Sequence, residues 1–127
     1  MGPTEPNGYV PPGWPERVRP PGAPGWVATA VAFLYDCCPP DYRAYGVLRR
    51  HPAVLARCAV FHVEGQVRAS RANLVGLRDE LARHVDNRAL DAAVDALQTE
   101  EARLVRLKRA VGLVDEALRG EVFIPKL

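Results

Sequence analysis

Between Val60 and Leu81, apolar side chains recur at alternating three- and four-residue steps. They are Val60, Val63, Val67, Leu74, Leu77 and Leu81, and Ser70 is the polar break. This rhythm belongs to a helix that lays one seam against a partner. A second seam follows at Leu90, Ala93, Leu97, Glu100, Leu104, Leu107, Val111, Val114 and Leu118, and Gly120 closes it. Asp86-Asn87 separates the two and offers a cap, so helices are expected over 52–85 and 88–119, each roughly 50 Å long. A turn this short forces them antiparallel. Superposed about residue 87, Leu77 faces Leu97, Val67 faces Leu107 and Val60 faces Val114. Ser70 then meets Leu104 and Glu100 meets Leu74, a polar layer that would admit Arg71 or Arg78 as a partner for Glu100.

Upstream, residues 24–38 (PGWVATAVAFLYDCC) are expected to be a helix with Pro24 in its first turn. It is apolar around nearly its whole circumference, interrupted by Thr29 and Asp36, so it needs cover on several sides. Pro39-Pro40 stops it. A short helix capped by Asp41 should run over 41–50, and Pro52 should start the first long helix. Apolar residues off the seam (Val54, Leu55, Cys58, Phe61, Leu113 and Ala117) gather at the end away from the turn. The turn end carries Arg78, Asp79, Glu80, Arg83, Asp86, Arg88, Asp91 and Asp95. The expected fold is all-α: a long antiparallel helical hairpin, coiled-coil-like, with one or two shorter helices at its base and a charged, solvated tip.

Composition changes this picture at the N-terminus. Of twelve prolines, eight lie in the first 24 residues. Residues 1–23 are therefore expected to form an extended arm, either disordered or polyproline II, and 121–127 an extended tail. Trp14 has little use in a free tail, so the arm either straps its own base or docks on a partner. Trp14, Arg17, Arg19, Trp26 and Phe33 are the candidate partner-binding residues. A second copy packing on the apolar 24–38 helix would make a homodimer.

Charge excludes little. Seventeen basic residues against fifteen acidic ones leave a net charge of +2, too small for a nucleic-acid-binding field. Arg68, Arg71, Arg103, Arg106, Lys108 and Arg109 nevertheless make a basic stripe, and this stripe or the hairpin tip serves a transcription-linked or nucleic-acid-binding alternative. Three cysteines without framework spacing, no secretory signal and no membrane-length apolar run suit a soluble cytoplasmic protein. Cys37, Cys38, Cys58 and His62 offer a metal- or redox-switch alternative, since Cys58 and His62 share a helix face. Adjacent cysteines rarely ligate one ion together, and packing is the simpler role. No phosphate-binding glycine loop, nucleophile motif or Glu-x-x-His pair occurs. No enzymatic activity and no cofactor are expected.

The pattern PPGWPERVRPPGAPGW, followed by CCPPDYRAYGVLRRHP and the paired seams, resembles short uncharacterised helical proteins of GC-rich actinobacteria. The resemblance implies an all-helical cytoplasmic protein and carries no activity or residue role with it. The expected function is a non-catalytic protein–protein interaction module, an adaptor, assembly or regulatory subunit acting through the helical hairpin and the Pro-rich arm.

Overall fold

The structure, a computed structural model, describes residues 8–126; residues 1–7 of the arm and Leu127 of the tail lie outside it. Of the described chain, 70% is helical and none is strand. Helix α1 spans Trp26–Asp36, α2 Gly46–Arg50, α3 Pro52–Leu81 and α4 Asn87–Leu118; a 3-10 turn, Pro40–Ala44, precedes α2.

The two long helices pack against each other along their length. Arg71 Nε donates to Glu101 at 2.7 Å and Arg78 Nη2 to Asp91 at 2.6 Å. Rising numbers on α3 thus meet falling numbers on α4. The link, residues 82–86, is centred on residue 84 rather than 87. Arg78 consequently reaches Asp91, short of the position that a pivot at 87 puts opposite it. Glu100 takes neither Arg71 nor Arg78: it binds Arg103 on its own helix. Three residues apart on one helix is a shorter reach than a crossing.

Helix ends follow local chemistry. Asp86 caps α4, its side chain accepting from the Ala89 N–H at 2.9 Å. Gly120, at φ 97°, closes α4 with bonds from its own N–H to Ala117 and from Glu121 to Glu116, a Schellman arrangement. Pro52 starts α3 at a position needing no donor. The expected 41–50 helix is broken instead. Asp41 makes no cap bond, residues 40–44 wind as 3-10, and Tyr45 is extended before Gly46 restarts the helix. Glycine, the least favourable helix former after proline, sits at that break.

Helix α1 begins at Trp26, two residues later than Pro24, because Pro24-Gly25 is a turn. It is one of three alike. Trp14 N–H donates to Pro11 O, Ala23 to Pro20 O and Trp26 to Ala23 O, at 3.0–3.1 Å. Each turn has proline second (Pro12, Pro21, Pro24) and a positive-φ glycine third (Gly13, Gly22, Gly25). Proline presets the first corner and glycine supplies the left-handed second one, the type II pattern. A fourth turn joins Pro15 to Val18. Residues 8–25 are therefore a chain of tight turns rather than an extended or polyproline II arm.

These turns lie against the base. Val18 is only 2% exposed and shares one core with Phe33, Leu34, Leu48, Leu55, Val63, Val111 and Val114; Trp14, Trp26 and Leu118 pack on its edge. Helix α1 packs on α3 and, over a smaller area, on α4, while α2 and the 3-10 turn close over α3 and α1. The apolar circumference of α1 is thus covered largely by the chain's own strap and helices. Val27, Ala28 and Ala32 remain exposed, so the dimer expected through α1 keeps a smaller apolar face to use.

Candidate functional site

The five residues expected to meet a partner are held in the junction between strap and base. Trp14 Nε1 donates to Val18 O at 2.8 Å, and its ring meets Phe123 of the tail edge-on at 5.8 Å. Arg17 binds the Asp36 carboxylate and stands 5.5 Å over the ring of buried Phe33. Arg19 Nη1 donates to Pro24 O at 3.2 Å, while its backbone N–H donates to Thr29 Oγ1 at 3.0 Å. Trp26 packs half-buried on the core. All five are engaged within the chain.

Asp36 receives two cations, since Arg43 Nη2 donates to it at 2.6 Å. The Arg17 hydrogen bond, with help from Arg43, holds its carboxyl below the ordinary 3.8. A depressed carboxyl contributes stability above its unfolded value and loses it as pH falls through the lowered value, so this tie holds to lower pH than an ordinary carboxylate would.

The basic stripe divides. Arg71 is tied to Glu101 and Arg103 to Glu100. Arg109 Nε donates to a neutral acceptor, Pro12 O, at 2.8 Å, which leaves its charge uncancelled. Arg68, Arg106 and Lys108 have no ion pair among the described residues. Arg103, Arg106 and Arg109 rim a cleft of about 370 Å³. Phe33, Leu107 and Ala110 also line it, and Gly13 and Pro15 of the strap complete it. Gly13 is required here twice over. Its φ is +98°, and a Cβ would come within 2.6 Å of Arg109 Nε and 2.8 Å of Cδ. The cleft exists because a Pro-Gly turn brings the strap against α4. Sequence reading found its arginines but not its apolar floor; the signal was Leu107 and Ala110 interleaved with the arginines at helical spacing.

The cysteines are placed otherwise than a metal site needs. Among the described residues, no group of three or more His, Cys, Asp or Glu side chains could hold a metal ion. Burial pushes the Cys37 and Cys38 thiols up to about 11. Both stay protonated at neutral pH, the unreactive form. Cys58 and His62 do share a cleft, about 380 Å³, with Tyr42, Arg57 and Phe61.

Two features escaped the sequence reading. Tyr35 is buried with Arg49 at 5.0 Å and Arg43 at 5.5 Å over its ring. Asp115 is 4% exposed, with Oδ2 accepting from Arg119 at 2.9 Å and no partner for Oδ1 among the described residues.

A different surface is left uncovered. Val54 and Phe61, seven residues apart on one face of α3, are exposed, with Cys58 half-buried between them. Arg57 lies 4.7 Å over the Phe61 ring. Tyr45 and Val47, just before α3, are exposed as well. No helix among the described residues is long and apolar enough to cross a membrane. The chain matches no protein-family model, no curated protein and no solved structure.

Proposed function

We propose that the protein is a non-catalytic protein–protein interaction module, an adaptor, assembly or regulatory subunit in which a helical hairpin stands on a strapped base. One observation carries the reading: the first turns of α3 present Val54 and Phe61, one heptad apart, on a face that the rest of the described chain leaves open. An apolar stripe at helical spacing is what a partner helix or groove takes up. Within this reading the strap is anchored on the base through Val18 and Trp14. A second copy on the same stripe would make the homodimer.

The nucleic-acid alternative has less support, because Arg71 and Arg103 already face carboxylates. The metal- or redox-switch alternative has less still, given two protonated, buried thiols.

A photo-crosslinking residue at Val54, introduced into the full chain in its native host, tests the proposal. The expected result is an adduct of defined size that disappears in Phe61→Glu and does not form from exposed Ala96. Twice the chain mass identifies a second copy, to be confirmed by light scattering. Absence of an adduct, or the same adducts from both positions, overturns the reading.

A further inference from the structure

The cleft between strap and α4 combines two properties that seldom coincide by accident. None of its lining residues is acidic, and three are arginines. Arg103 spends two donors on Glu100. Arg109 gives only Nε away, to a carbonyl without charge, and keeps both terminal nitrogens. Arg106 donates to no group among the described residues. Two positive charges therefore stand without an ion pair among the described residues, over a floor of Phe33, Leu107 and Ala110.

An anion alone would not need that floor, and an apolar group alone would not select that rim. A carboxylate accepts a forked pair of guanidinium donors, and an adjoining apolar side chain can cover Leu107 and the edge of Phe33. Nucleic acid fits less well. Phe33 is buried and offers no exposed ring for stacking, and the two free cations occupy one pocket instead of following a strand.

We propose that this cleft docks an acidic–apolar peptide segment of a partner protein, with carboxylates on Arg106 and Arg109 and an apolar side chain on the Phe33–Leu107 floor. The proposal rests on the interaction-module reading and names a partner chemistry for a surface separate from the Val54–Phe61 stripe. The strap is part of the receptor, since Gly13 and Pro15 line the cleft and Pro12 O fixes the angle of Arg109.

The test is a titration of the full chain with three short peptides: glutamate alternating with leucine, glutamate alternating with serine, and lysine alternating with leucine. A single-stranded and a duplex oligonucleotide run alongside. Trp14, between two cleft-lining residues, reports binding by its fluorescence. The expected result is saturable binding of the glutamate–leucine peptide, roughly tenfold weaker in Arg106→Glu for loss of one charge-assisted contact. Arg106 is exposed and without an ion pair, so circular dichroism should show that variant folded.

Equal binding of the glutamate–serine peptide, no effect of Arg106→Glu, or tighter Arg106-dependent binding of either oligonucleotide overturns the proposal. So does Arg106-dependent self-association, which would give the cleft to a second copy. The Val54 adduct separates the two readings. If it persists in Arg106→Glu while no peptide binds, the cleft assignment fails and the interaction module stands.

Discussion

The two ends of the α3–α4 pair are built from the same heptad rhythm and reach different densities. At the base, Val63, Val111 and Val114 of the seams, with Leu55 beside them, are wholly out of water, because α1, α2 and the strap close over the long helices. Toward the turn Leu90 is buried, but Leu77 and Leu97 on the same seams remain half-buried and Leu81 is 36% exposed. Helix seams of similar composition thus bury different amounts of surface according to how many layers cover them. Two helices alone protect a narrow line; a third layer makes a core.

Paired truncations give the largest expected contrast. Leu55→Ala should cost about 2–5 kcal/mol, as buried leucines do when a cavity remains. Leu77→Ala should cost only about 1 kcal/mol, in proportion to the smaller apolar area it shields. Urea unfolding of both variants checks this. Equal losses would mean that the turn end is as well supported as the base.

Next in size is the strap itself. Gly13→Ala forces a left-handed corner on a residue with a Cβ and displaces Arg109, so a loss of about 1–2 kcal/mol is expected. The loss should come with a shift in Trp14 fluorescence as the strap lifts. A variant of unchanged stability and spectrum would show that the base holds without the strap, and the contrast between the two ends would shrink.

The smallest effect is at the boundary between the regions. Ser70 sits in the seam with a buried Oγ that has no hydrogen-bond partner among the described residues. Ser70→Ala should stabilise the protein by about 0.5–1 kcal/mol, through relief of that group and better helix propensity. A loss would mean that the hydroxyl is satisfied in solution.

What the sequence made legible was whatever repeats or punctuates. The seams, the Asp86 cap, the Gly120 stop and Pro52 at a helix start are local signals with local causes. A strap over the base was one of two expectations; its turns were missed because prolines and glycines signal extended chain when weighed as composition. Their order, Pro-Gly preceded by Pro or Ala and followed by Trp or Ala, spells turns. The burial of Val18 depends on a surface assembled from distant segments, which no local pattern shows. The Arg cleft was half legible for the same reason. Its arginines lie on one helix, but its floor and wall come from α1 and the strap.

The bond from Arg109 to Pro12 joins residues 97 positions apart. The strap leaves the ribosome well before α4, so this contact waits until both long helices are made, while Arg17 and Arg19 can already tie the strap to α1. During that interval proline-fixed turns keep it compact while offering few donors for mispairing. A chain truncated before α4 would keep the strap's ties to α1 but lose the Arg109 anchor and with it one wall of the cleft.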